Sequence, residues 1–124
     1  MEKEYKIGII GLGYVGLPLS LAFSEYHSVV GFDIDKNRVH ELNNNYDIND
    51  DNNVKSSSNL IYTNDNTLLS DIEIYIITVP TPILDDNTPD LSFLKSATQI
   101  IAPYIKKDNI IIYESTVYPG VTED

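Results

Sequence analysis

A doubly wound α/β fold, one parallel sheet with helices on both faces, is what this sequence predicts, and three observations carry the expectation. Apolar runs rich in β-branched residues alternate with helical patterns. The runs are continuous rather than alternating, as strands covered on both faces must be. The first of them, Lys6-Ile7-Gly8-Ile9-Ile10, leads directly into Gly11-Leu12-Gly13-Tyr14-Val15-Gly16 and then into a helical stretch. Five strands are expected, at 5–10, 28–32, 60–63, 72–79 and 109–114. The helical stretches between them run from 14 to about 26, from 36 to about 43, over 67–69, and from 91 to about 102. Right-handed crossovers then give the strand order 3-2-1-4-5. Asp35 and Asp90 are the expected N-caps of the second and last helices, and Pro103 marks the end of the latter.

The G-x-G-x-x-G segment sits between a strand and a helix, the context that makes it a dinucleotide-binding signature of a Rossmann-like domain. Each glycine has its own task. Gly11 permits the tight turn, Gly13 lets backbone N–H groups approach a pyrophosphate, and Gly16 lets the helix pack closely on the strand. A Cβ at Gly13 would stand where phosphate oxygens belong. The helix starting near Tyr14 aims its unsatisfied N–H groups and positive dipole end at the ligand, so no lysine is needed there. Three glycines alone are weak evidence, and the acid further along decides the matter. Ser28-Val29-Val30-Gly31-Phe32 ends in Asp33, 22 residues after Gly11, close to the ~20 expected for a ribose-binding carboxylate. Asp33 is expected to accept from the adenosine ribose hydroxyls and to repel the 2′-phosphate of NADP, which favours NAD. The competing reading, that Asp33 merely opens a turn, leaves the register of strand, glycines and helix unexplained.

The chain has 124 residues, the size of one domain, with a net charge of −11 and no cysteine. Such acidity disfavours nucleic acid and anionic membranes as partners. No apolar run approaches ~18 residues and no signal-peptide pattern opens the chain, so a soluble cytoplasmic protein is expected. Without cysteine there is no disulfide, no thiolate-bound zinc and no thiol nucleophile within these residues. His27 and His40 lack the helical spacing of a metal pair and read as surface residues. The Asn-, Asp- and Ser-rich stretch 43–58 reads as a solvated excursion. Asp85-Asp86-Asn87 lacks the calcium-loop pattern and reads as a plain acidic turn.

In a doubly wound sheet the ligand lies beyond the carboxyl ends of the strands. Strand four is followed by Thr78-Val79-Pro80-Thr81-Pro82, whose prolines stiffen the turn and restrict Thr81, placing its hydroxyl to reach a cofactor. Strand five is followed by Glu114-Ser115-Thr116-Val117-Tyr118-Pro119-Gly120. Taken alone, both ends are also what ordinary turn chemistry looks like.

Together, Gly-Tyr-Val-Gly-Leu-Pro at 13–18, Phe-Asp-Ile at 32–34, Val-Pro-Thr-Pro at 79–82 and Glu-Ser-Thr-Val-Tyr-Pro-Gly at 114–120 resemble the UDP-glucose/GDP-mannose (nucleotide-sugar 6-) dehydrogenase family, in order over essentially the whole chain. The last two motifs are most similar to members acting on UDP-N-acetylhexosamines for surface polysaccharides. The resemblance implies that backbone at Tyr14 and Val15 meets the pyrophosphate, that Asp33 holds the adenosine ribose with Arg38 near the adenosine end, and that Thr81 and Thr116 bind cofactor, Thr116 beside the nicotinamide. Ser20 and Leu21 depart from the alanine and valine of many relatives without touching function.

It further implies an NAD-dependent enzyme that oxidises the C6 alcohol of a UDP-sugar to the uronate, reducing two NAD and holding the aldehyde level on a cysteine. This chain has no cysteine. Residues 1–124 are therefore expected to be the N-terminal NAD-binding domain of a longer, homodimeric enzyme whose substrate domain lies elsewhere, able to bind cofactor but not to turn over. The main alternative is a stand-alone NAD-sensing module of a potassium transport system, which accounts for Gly11 to Asp33 equally well but gives no reason for Pro80-Thr81-Pro82 or Ser115-Thr116. A dehydrogenase of the 6-phosphogluconate type ranks behind both, since it lacks the Glu-Ser-Thr-Val-Tyr-Pro-Gly ending.

Overall fold

The computed structural model describes residues 4–13, 15–44, 46–47, 52–53, 59–114 and 117–118. Five parallel strands build one sheet: β1 (Lys6–Ile10), β2 (Ser28–Phe32), β3 (Leu60–Thr63), β4 (Ile74–Ile77) and β5 (Ile110–Tyr113). Their spatial order is β3-β2-β1-β4-β5, the expected order. The registers place Ile10 of β1 beside Phe32 on one side and Ile77 on the other. The carboxyl ends of the three central strands are thus level, and the turns that leave them share one rim.

Two apolar layers confirm that the sheet is covered on both faces. On one side Ile7 and Ile9 of β1 pack with Val29, Tyr62 and Ile76 under Leu17 of α1 (Gly16–Phe23) and Val39 and Leu42 of α2 (Lys36–Asn43). On the other, Ile10, Phe32, Tyr75 and Ile77 pack under Leu69, Ile72 and the Ala97 and Ile101 side chains of α3 (Ser92–Ile101). Alternate residues of β4 therefore feed opposite layers, as the period of a strand requires.

Tyr75 is fully buried and donates its hydroxyl to the Leu69 carbonyl at 2.8 Å, while burial, with the nearby Tyr104 adding to it, raises its pKa and keeps that donor protonated. Tyr75→Phe strands the Leu69 carbonyl in an apolar layer. The expected loss is about 1 kcal/mol of stability, read from the urea midpoint at pH 7.

Several element ends differ from expectation. The first helix is shorter at both ends and gives way to a turn over 24–26; the buried Ser20 hydroxyl returns to the Gly16 carbonyl at 2.7 Å. Asp35 does cap α2, accepting from the N–H groups of Asn37 and Arg38. At α3 the cap position is Leu91, not Asp90, whose carboxylate instead accepts from the Ser92 N–H at 3.0 Å just ahead of the helix. The α-helix itself ends at Ile101, just ahead of Pro103 as expected, and residues Ala102–Tyr104 add a 3₁₀ turn, which accommodates a proline in its first positions.

Continuous apolar character predicts burial for 110–113, yet Ile110, Ile112 and Tyr113 are exposed, because β5 is the open edge of the sheet and only Ile111 packs on the core. Among the described residues, short pairings also lie outside the five strands: an antiparallel one between Tyr46–Asp47 and Asn52–Asn53, a parallel one between Thr81–Pro82 and Val117–Tyr118, and a single antiparallel bridge between Ile83 and Pro89. The first falls inside the polar stretch 43–58 and gives that excursion a hairpin-like pairing. His27 is more than a surface residue: its Nδ1 accepts the Tyr5 N–H at 3.0 Å. Asp86 accepts from both the N–H and the hydroxyl of Thr88, closing the acidic turn on itself.

Candidate functional site

A cleft of about 800 Å³ opens where β1, β2 and β4 end, within the volume range of small-molecule sites. Its floor is Ile10 and Phe32. One lip is the glycine turn, with Gly11, Leu12, Gly13 and Val15, and beside it stand Asp33 and Ile34. Thr78, Val79 and Pro80 continue from β4. Ser92, Phe93, Ser96, Ala97 and Ile100 of α3 close the far wall.

The three glycines differ in what they do. Gly11 has φ +105°, a backbone conformation closed to most side chains, which explains glycine at the bend. At Gly16 a Cβ would overlap the Gly11 carbonyl oxygen and come within 2.5 Å of Thr78 Oγ1, so the helix can approach the turn only without a side chain there. Gly13 faces open space, with nothing within 4 Å of where its Cβ would be. That open face is a cradle a methyl group would fill, and it is the fit expected of a backbone that meets a diphosphate. No side chain caps the start of α1, and no basic side chain lines the cleft among the described residues. An anion here is met by helix N–H groups and dipole rather than by a cation.

Asp33 is the acidic group of the cleft. Its Oδ2 accepts from the Leu12 N–H and its Oδ1 from the Asp35 N–H, both at 2.9 Å. A carboxylate offers about four acceptor positions, so two bonds leave capacity for a ribose diol.

Of the residues expected at the site, Gly11, Gly13, Val15 and Asp33 line one cleft, and Gly16 sets its geometry from beneath. Tyr14 and Thr116 lie outside the described residues. Thr81 is not on the cleft wall: it is almost fully buried, because the chain after Pro80 turns to pair with Val117. Arg38 is not on the wall either. It is buried, its Nε–H donating to the Leu12 carbonyl at 2.7 Å.

Sequence reasoning misses two contributors. Thr78 donates its hydroxyl to the Gly11 carbonyl at 2.7 Å, tying the glycine turn to the end of β4; being the first polar residue after a buried strand is its signal. The α3 wall is legible as a stripe at 93, 96, 97 and 100, one face of a helix.

Comparison with known proteins matches residues 5–124 to the model of the UDP-glucose/GDP-mannose dehydrogenase family, NAD binding domain. This chain belongs to that family. As a member's NAD-binding domain, it takes NAD as its cofactor, and the glycine turn, open Gly13 face and Asp33 suit that ligand.

The chain is 45% identical over 120 residues to Protein CapL of Staphylococcus aureus, covering 95% of this chain and 28% of that protein. It is 44% identical over 124 residues to the UDP-N-acetyl-D-glucosamine 6-dehydrogenase of Salmonella typhi, covering 98% and 29%. Among solved structures, the UDP-D-ManNAc dehydrogenase of Pyrococcus horikoshii superposes with a TM-score of 0.77 at 29% identity, covering 93% of this chain and 29% of that one. The chain thus spans under a third of the length of these relatives. The family match runs through 80–82 and on to 124, the very stretches a potassium-transport sensor leaves without a purpose, and the sensor reading draws no support from the relatives found. No helix among the described residues is long and apolar enough to cross a membrane.

Proposed function

We propose that residues 1–124 are the N-terminal cofactor domain of a nucleotide-sugar 6-dehydrogenase acting on a UDP-N-acetylhexosamine. In the parent protein the C6 alcohol goes to the uronate with reduction of two NAD, the product feeding surface polysaccharide synthesis in the cytoplasm, and the parent works as a homodimer. The observation that carries the cofactor half of this reading is the glycine turn with an uncovered Gly13 face next to the Asp33 carboxylate. The substrate half is supported by relatives named as UDP-N-acetyl-D-glucosamine 6-dehydrogenases at 44% identity.

NAD, when bound, supplies the oxidant. The work of this chain is to bind and orient it. Backbone N–H groups from Gly13 through Tyr14 and Val15 take the diphosphate, Asp33 takes the ribose hydroxyls, and the apolar wall formed by Val79, Pro80 and Phe93 excludes water. Thr116 is assigned to the nicotinamide end on the family motif. Thr81 is assigned to cofactor binding on the same motif, from its buried place in the stretch that follows Pro80.

Titration by cofactor fluorescence tests the reading: NADH is expected to bind at least ~10-fold tighter than NADPH, the scale set by a carboxylate facing a phosphate. Asp33→Ala is expected to bring the ratio toward one. Equal or reversed affinities in the unaltered chain overturn the assignment. With no thiol to hold an aldehyde-level intermediate, the chain alone is expected to form no NADH from NAD and UDP-N-acetylglucosamine, and steady formation would contradict this division of labour.

A further inference from the structure

At the carboxyl end of β1 the hold on the backbone passes from the sheet to side chains. The last ladder-like bonds there run from the Gly11 N–H to the Phe32 carbonyl at 2.8 Å and from the Thr78 N–H to the Ile10 carbonyl at 2.9 Å. The next peptide group, between Gly11 and Leu12, is gripped differently. Thr78 Oγ1 donates to the Gly11 carbonyl at 2.7 Å, and the Leu12 N–H donates to Asp33 Oδ2 at 2.9 Å. A trans peptide points its C=O and its N–H in opposite directions, and β1 lies between β4 and β2. One planar group is therefore pinned at both ends, by the first residue past Ile77 on one side and the first past Phe32 on the other.

Pinning matters at this peptide because Gly11 is the residue best able to let it turn over. Its φ of +105° lies where glycine alone moves freely. A turned peptide would take the Leu12 N–H away from Asp33 and set a carbonyl oxygen against the carboxylate, acceptor facing acceptor. Thr78 is fitted closely enough to prevent this: its Oγ1 lies 3.1 Å from where a Cβ at Gly11 would stand and 2.5 Å from one at Gly16. The other oxygen of Asp33 accepts from the Asp35 N–H at 2.9 Å, so the carboxylate that receives the Leu12 N–H has its orientation set on both sides.

We infer that Thr78 is a positioning residue for the cofactor: its hydroxyl locks the Gly11–Leu12 peptide, and that peptide aims the Asp33 carboxylate at the ribose before any ligand arrives. This role rests on the NAD-binding reading above and deepens it. A carboxylate already aimed need not be ordered on binding. The lock bears on coenzyme choice as well as on affinity, because a carboxylate free to swing loses its hold on the ribose diol and relaxes its repulsion of a 2′-phosphate.

Titrations with NADH and NADPH, paired with nuclear magnetic resonance of the ligand-free chain, test this on Thr78→Ser and Thr78→Ala, which differ from each other only by the hydroxyl. In the unaltered chain and in the serine variant the Leu12 amide is expected to exchange slowly with solvent, and the NADH-to-NADPH affinity ratio to be alike. In the alanine variant the Leu12 amide is expected to shift and lose protection, NADH affinity to fall ~5-fold, the scale of one hydrogen bond between uncharged groups, and the ratio to narrow. A merely structural Thr78 would leave that ratio where it is in the folded protein. Fast Leu12 exchange in the unaltered chain, a ratio narrowed by serine, or an alanine variant with the ratio or the Leu12 amide unmoved overturns the positioning role; the first two remain readable if the alanine variant does not fold. An unaltered chain that binds no NADH, or binds NADPH as well, sinks the NAD reading and this role together, whereas normal NADH affinity with an unprotected Leu12 amide sinks this role alone.

Discussion

Gly13→Ala is expected to leave the chain folded and to weaken NADH binding about 100-fold. The added methyl group meets nothing within 4 Å in the ligand-free protein, and Gly13 is not in the left-handed region that would resist a side chain. Stability should stay within about 0.5 kcal/mol of the original. The effect falls on the ligand, because the methyl group occupies the face where N–H groups meet the diphosphate and holds the phosphate oxygens beyond hydrogen-bond range. Thermal denaturation and NADH titration on one preparation separate the two quantities. Unchanged affinity would move the diphosphate away from this turn.

Gly16→Ala is expected to do the opposite and strike the fold. There the methyl group collides with the backbone of Gly11 and with the Thr78 hydroxyl, neither of which can swing aside as a flexible side chain could. Relief requires α1 to lift away from β1, which carries Leu17 out of its buried layer and breaks the bond from Thr78 to Gly11. A loss of about 3 kcal/mol or more is the cost of overpacking against rigid backbone, a large part of the roughly 5–15 kcal/mol that holds a typical domain together. Chemical denaturation gives the number directly. A midpoint unchanged from the original would mean that the close helix approach is not what glycine is there to allow.

Much of this architecture can be read from local pattern. The glycine turn, the strand that ends in Asp33 and the order of the five strands all rest on residues whose roles are set by neighbours in sequence: a strand period, a turn that needs positive φ, an acid at the tip of an apolar run. The differences share another cause. Arg38 lies off the cleft wall with its guanidinium donating to a carbonyl 26 positions earlier, a contact that no local pattern announces. Thr81 looks aimed at the ligand because prolines flank it, but pairing with Val117, far along the chain, decides where it goes. The isoleucines of β5 look buried because an apolar run carries no mark of which strand will form the edge of the sheet. Thr78 and the α3 stripe at 93, 96, 97 and 100 are readable, since a strand end and a helical period announce them, but they lie outside the glycine motif that draws the eye.

Because the carboxylate at position 33 is a strut of the turn and, on the function proposed above, also the group that reads the coenzyme, altering coenzyme choice in this protein cannot be a one-letter edit. A substitution that welcomes a 2′-phosphate also removes the acceptor from the Leu12 and Asp35 amides, so an engineer must supply a replacement brace, for instance an amide or hydroxyl acceptor reaching the same peptide, before the exchanged specificity can be expressed at useful affinity.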